Sequence, residues 1–328
     1  MSSAELALWN RCRTATRSEI QAALWHKRSL VKSSLMRMTL HLVPAADYTT
    51  YITALKETRM GLVYRRLKRM KVTAAEVSDL NAFVVDALSE GPLTQQELVN
   101  RAWTRASPRM RKWLKFAWSV FRPAIVEGLI CYGPPKGSQV TFVRVDRWLA
   151  DERPVTQADA RQWLARRFLG AYGPAAARDF CKWSGVSVAE ASATWTEIAC
   201  ELQDVAADGR VVSVLARDVD PLRSAALDTT GVRLLPSFDP LLLAHAEKDH
   251  LVERRHYKRV YRNQGWLSPV VLVGGRIAGV WSLRASARRL IAEVDLFVRP
   301  SREVRRRVEA EGDAIGRFLG TSCEVAFI

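Results

Sequence analysis

Between Gly91 and Val145 the chain reads GPLTQQELVNRAW, then RMRKWLKFAWSVFRPAIVEGLI, then CYGPPKGSQVTFVRV. Each part of this stretch admits few local structures, so it constrains the fold most. Thr94 stands three residues before Glu97, just ahead of an apolar spacing, which predicts a capping box and a short helix. In the next run Trp113, Phe116, Ala117, Val120 and Phe121 fall on one face of a second helix. Leu129–Tyr132 and Val140–Val145 read as strands joined by Gly-Pro-Pro-Lys-Gly-Ser. Helix, turn, helix and a hairpin with a basic tip at Lys136 is the order of a winged helix. Such a unit presents one helix to a DNA groove and its wing to the flanking backbone. A small helical core that contacts protein has the same order, and the charge favours DNA.

Fifty Lys and Arg face thirty-four Asp and Glu, for a formal charge of +16. That excess suits a polyanion, because Lys and Arg release counterions from phosphate backbones. General basicity is the other reading, and net charge alone does not separate DNA from RNA or an anionic membrane. The 328 residues suffice for two to four small domains. Five scattered cysteines form no Cys-x-x-Cys pair, which argues against a zinc ribbon or a disulfide framework and for the cytoplasm. No apolar run is long enough for a membrane span, and MSSAELALWNRCR lacks the order of a signal peptide.

Residues 1–50 read as a shorter version of the central unit. Two helices, the second carrying Ile20, Ala23 and Leu24 inward, precede the strand–turn–strand pattern SLVKSSLMRMTLHLV. Residues 51–90 form a helical connector. It carries Arg59, Arg65, Arg66, Lys68, Arg69 and Lys71 with no acid between Thr58 and Ala75, which is either a solvated face or a phosphate contact. The central unit spans 91–153 and holds Arg109, Arg111 and Lys112. Residues 154–229 look like a third copy: GPAAARDFCKWSG parallels GPLTQQELVNRAW, and a helix over 188–202 leads to a strand in GRVVSVLARD. Residues 230–328 contain VRLLPSFDPLLL, a Gly-Gly hairpin in VVLVGGRIAGVWSLRA, the strand LIAEVDLFVRP and an amphipathic helix over 302–319. The fold class is therefore α+β, with three tandem winged-helix units followed by a C-terminal β-rich module.

Most familiar catalytic patterns are missing. Gly274-Gly275 is a turn, and there is no Walker loop, G-x-S-x-G elbow or His-Glu-x-x-His. His245, His250 and His256 fit no standard metal spacing, so neither a metal nor a cofactor is expected. His250 and His256, with Arg254, Arg255, Lys258 and Arg259, form either a DNA-facing basic strip or a solvated helix face. Asp239 before Pro240 reads as a turn residue bonding its own backbone.

Three stretches together resemble one family: Leu35-Met-Arg-Met-Thr-Leu-His-Leu-Val43 with Asp47 after it, Leu235-Pro-Ser-Phe-Asp-Pro240, and Val273-Gly-Gly-Arg-Ile-Ala-Gly-Val-Trp281. In this order, over nearly the whole chain, they look like the AlkZ-like winged-helix DNA glycosylases. The resemblance implies winged helices lining a channel for double-stranded DNA. It also implies monofunctional excision of alkylated or crosslinked bases by a monomer without metal or cofactor. Family enzymes carry a glutamine–aliphatic–glutamine pair, or a His/Asp variant of it, that would lie before Ser2, and no two glutamines here have that spacing. Excision is then expected only where an upstream motif exists; otherwise the chain is a DNA-damage sensor or a transcription regulator. Within the chain His41 and Asp47 are the nearest polar candidates for holding water. His41 reads alternatively as a core histidine bonded to backbone. Arg37 reads as a phosphate contact or as a partner of Asp47.

Overall fold

The computed structural model describes residues 3–115, 120–149, 154–226, 228–285 and 289–328. Phe116 and Ala117, expected on the inner face of the second central helix, lie outside them. Contacts divide the chain into a unit of residues 21–168 with 180–200, and a unit of residues 1–20, 169–179 and 201–328. Each draws on more than one of the segments expected from motif order.

In the first of these units, alternation of buried and part-exposed residues makes strand β1 (Leu30–Ser34). It pairs with β2 (Leu40–Pro44), Ser33 standing opposite His41. The two-residue strand β3 (Leu93–Thr94) precedes the hairpin β4 (Ile130–Lys136) and β5 (Gln139–Arg144). Strand β4 continues through Gly133, Pro134 and Pro135, so the turn is two residues rather than the expected Gly-Pro-Pro-Lys-Gly-Ser loop. Lys32 pairs with Tyr132, and the strand order is β2-β1-β4-β5-β3. Both hairpins thus belong to one sheet.

Against it lie the helices Tyr48–Arg69, Ala74–Ala87, Gln95–Arg105 and Pro108–Leu114. Reciprocal capping boxes start two of them, Thr73 with Glu76 and Thr94 with Glu97. Each cap satisfies end groups that would otherwise be orphaned, worth about 1 kcal/mol. Val63, Leu67, Leu80, Val84, Leu98 and Trp113 meet in one core. Burial of each such side chain contributes roughly 1.5–3 kcal/mol.

In the other unit, β6 (Leu202–Ala207) and β7 (Arg210–Leu215) form a hairpin about Asp208-Gly209. Five further strands follow: β8 (Val232–Leu235), β9 (Val270–Val273), β10 (Arg276–Ala285), β11 (Leu290–Leu296) and β12 (Cys323–Phe327). They lie in the order β12-β11-β10-β9-β8. The helix Arg302–Leu319 crosses over between the parallel strands β11 and β12 and buries Val308 and Ile315 in the core. Helix Ser3–Arg11 adds Leu6 and Trp9 to the same core. Motif order had grouped that helix with the first hairpin.

Two residues of the Val273–Trp281 signature have clear structural work. The Trp281 ring is buried, and its Nε1–H donates to the Leu235 carbonyl at 2.9 Å. Gly279 lies where a Cβ would come within 2.5 Å of the Asp295 carbonyl oxygen and 2.9 Å of Leu296 Cδ2. Gly279→Ala must therefore push β10 from β11, costing roughly 1–3 kcal/mol by overpacking. A drop in thermal midpoint checks this; an unchanged midpoint contradicts the close approach.

Candidate functional site

The turn between β1 and β2 bends through two consecutive left-handed, non-glycine residues, Arg37 at φ 54° and Met38 at φ 63°. Each costs on the order of 1–2 kcal/mol, so the surroundings must hold them there. Thr39 Oγ1 donates to the Met36 carbonyl at 3.0 Å, and the Arg37 guanidinium donates to the Trp183 carbonyl. Gly185, at φ +84°, sits so close that a Cβ would meet Arg37 N at 3.1 Å and Cα at 3.2 Å. The turn is thereby seated on the end of helix Ala177–Ser184.

That turn feeds directly into His41. Its Nδ1 lies 2.9 Å from the Thr39 carbonyl. A carbonyl only accepts, so Nδ1 carries the proton and Nε2 is left as an acceptor. Burial pushes the imidazole down to about 4; the Thr39 carbonyl opposes this, and the positive Arg37 and Arg59 add to it. At neutral pH the ring is uncharged. The backbone bond of the core-histidine reading is present at one nitrogen, and the other nitrogen is left as an acceptor. Asp47 leads into helix Tyr48–Arg69, and its carboxylate accepts from Arg167 at 2.8 Å. The expected alternative pairing of Arg37 with Asp47 is not what the structure shows.

Behind the hairpin, Arg59 is only 2% exposed. It donates to the Ser34 carbonyl, while its Nε and Nη1 have no hydrogen-bond partner among the described residues. Burial lowers its pKa to about 10; Arg122 adds to the fall and Tyr48 opposes it. A buried guanidinium without a carboxylate is costly. Roughly two to three turns onward on the same helix, Arg65, Arg66, Lys68 and Arg69 are exposed. No ion pair involves any of these four among the described residues. Arg65, Arg66 and Arg69 share one face at helical spacing. Arg122 is pushed down by burial and by Arg66 nearby. Arg65, Arg66, Lys68 and Arg69 belong to the acid-free run that the sequence offered as a solvated face or a phosphate contact.

The expected contacts of the central helices are placed less simply. Arg109, Arg111 and Lys112 are all exposed on helix Pro108–Leu114. Arg109 pairs with Glu76 at 3.6 Å, and Arg111 Nε donates to the Trp103 carbonyl at 3.2 Å. Lys112 has no ion-pair partner among the described residues. Lys136 donates to Glu97 at 2.5 Å, and this bond leads the causes that hold the Glu97 carboxyl down at about 2.

In the other unit the basic strip is largely neutralised by its own neighbours. Arg254 pairs with Asp249, Arg255 with Glu253 and Arg259 with Asp295. His256 stacks on Phe297 at 4.0 Å. His250 stands edge-on to His245 at 4.6 Å, away from any strip role. Lys258 alone of the expected residues there is exposed and free of an ion pair among the described residues. Only short turns of helix form in 254–260, so the helix face expected as the alternative is no longer than two turns.

The family model described as DNA glycosylase AlkZ-like matches residues 1–318. The chain belongs to this family. A curated relative, the Interstrand DNA cross-link repair glycosylase of Streptomyces sahachiroi, is 32% identical over 306 residues, covering 90% of this chain and 80% of that protein. The solved structure of Streptomyces sahachiroi DNA glycosylase AlkZ superposes with a TM-score of 0.82 at 28% identity, covering 95% of this chain and 85% of that one. The α+β fold is therefore that of the AlkZ-like glycosylases. The three stretches that carry the resemblance fall on the Arg37–His41 turn, on the loop at Asp239 and on the hairpin that carries Gly279 and Trp281. No helix among the described residues is long and apolar enough to cross a membrane.

Proposed function

We propose that this chain binds double-stranded DNA and releases alkylated or crosslinked bases by glycosylase chemistry, with His41, in place of the upstream glutamine pair on which excision was expected to depend, holding the attacking water. The observation that carries this reading is the neutral His41 acceptor near the buried Arg59, whose Nε and Nη1 have no hydrogen-bond partner among the described residues. The three helix-and-hairpin units belong to the same proposal, as does action as a monomer.

The chemistry asks little of a base. An alkylated purine carries positive charge and is already a good leaving group. As the N-glycosidic bond breaks, its electron pair goes to the base, which leaves neutral, and the sugar gains oxocarbenium character. A water held by His41 Nε2 attacks the anomeric carbon as that charge develops. With its pKa held near 4, His41 orients the water rather than taking its proton, which passes to solvent after the C–O bond forms. Arg65, Arg66, Arg69 and Lys112 hold phosphates in this scheme.

Release of 7-methylguanine from alkylated duplex tests the role of His41. His41→Ala should slow release by about 100-fold, the scale of a positioned polar group, and change duplex affinity less than threefold. Because the folded imidazole titrates near 4, release should be flat from pH 5.5 to 8 as far as this group is concerned. Protonation below that range removes the acceptor. An inflection near 6.5 that vanishes in His41→Ala contradicts the buried neutral state. Unchanged release by His41→Ala removes it from the water site.

A further inference from the structure

Phe238 and Trp266 are large aromatics left 41% and 55% exposed. They are not scattered apolar residues. Their rings meet edge-to-face, centroids 5.2 Å apart at 82°. Both stand on backbone that is expensive to hold. Phe238 itself has φ 59°, and Trp266 follows Gln264 at φ 59° and Gly265 at φ 77°.

The protein fixes both loops from below. Asp239, next to Phe238, is fully buried, accepts two bonds from Arg11 at 2.7 and 2.9 Å, and accepts from the Leu241 N–H. On the other loop the Arg262 N–H donates to the Trp266 carbonyl at 2.8 Å, and Tyr261 bridges Leu267. Exposed Tyr257 stacks on Tyr261 in the same segment. Arg262 and Lys258, on the same segment as Trp266, are exposed and have no ion pair among the described residues. Rigid loops, strained backbone and two unburied rings give the folded chain nothing in return. They leave two rings in contact at the surface, on a segment that also carries the exposed Lys258 and Arg262.

We propose that Phe238 and Trp266 form a platform on which an unpaired DNA base stacks, its phosphates drawn by Arg262 and Lys258. An edge-to-face pair presents a flat ring face to a base and a second ring as a wall. Base–aromatic stacking is sequence-tolerant, which suits a protein that meets damage in any context. The proposal rests on the DNA-binding reading above.

Affinity is measured for two duplexes of one sequence, fully paired and carrying a single bulged 2-aminopurine. The wild type should prefer the bulged duplex about tenfold or more and quench the probe on binding. Phe238→Ala/Trp266→Ala should bind the paired duplex within about threefold of wild type, lose the preference and leave the probe unquenched. Trp266→Phe should keep most of both. Equal wild-type affinity for the two duplexes, or a preference that survives the double substitution, overturns the platform while leaving DNA binding in place. Absence of wild-type binding to the paired duplex overturns both.

Discussion

Arg65→Ala/Arg66→Ala/Arg69→Ala should weaken binding to undamaged duplex DNA on the order of 100-fold at 0.1 M salt. The same triple change should flatten the salt dependence by about two to three in log K against log salt, roughly 0.9 for each phosphate that is no longer neutralised. These side chains are exposed and free of ion pairs among the described residues, so a phosphate can take up their charge without first displacing a carboxylate. For the same reason the thermal midpoint should move by little. Arg254→Ala/Arg255→Ala makes the matched control. Those charges already face Asp249 and Glu253, and their removal should change affinity less than about threefold. Equal effects from the two sets would mean that net charge matters and the long helix does not. An unchanged slope for the triple variant would take that helix out of the interface.

Arg59→Met should raise the thermal midpoint by a few degrees and lower DNA affinity. The guanidinium is buried with two nitrogens unpartnered, which costs several kcal/mol, whereas the single bond to the Ser34 carbonyl returns about 1 kcal/mol. Methionine fills much of the same volume without a charge. Its gain, about 1–3 kcal/mol, is what the fold gives up to keep a positive centre behind His41. Arg59 also helps hold that imidazole neutral, so the His41 resonance should titrate above 4 in this variant. A lower midpoint with normal DNA binding would make Arg59 a structural strut.

Much of this was legible locally. The Thr94–Glu97 capping box, the Gly-Gly turn at 274–275 and the helix over 302–319 each follow from a few adjacent residues. The hairpin of β6 and β7 was half seen. Its Asp208-Gly209 turn is a strong signal, but Leu202 and Val205 fit helical spacing as well as strand spacing over so short a run. The pairing of Lys32 with Tyr132, which joins two hairpins into one sheet, is one long-range register and leaves no local trace. Arg59 could have been found. Ile52, Leu55, Arg59 and Val63 recur at helical spacing, so the arginine stands on the buried stripe and not on the solvated face of its run. In the basic strip near 254–259 Asp249 and Glu253 stand close enough in sequence to pair with Arg254 and Arg255, whereas Asp295 reaches Arg259 only through the tertiary fold.

Base release by the wild-type chain is the most direct measurement. A duplex carrying 7-methylguanine is incubated with excess protein at pH 7, and free base is separated from DNA and counted over time. Time-dependent release, falling with added salt in step with binding and slowed about 100-fold by His41→Ala, is the predicted result. Firm binding of that duplex with no base released would contradict it and leave a protein that finds DNA without cutting.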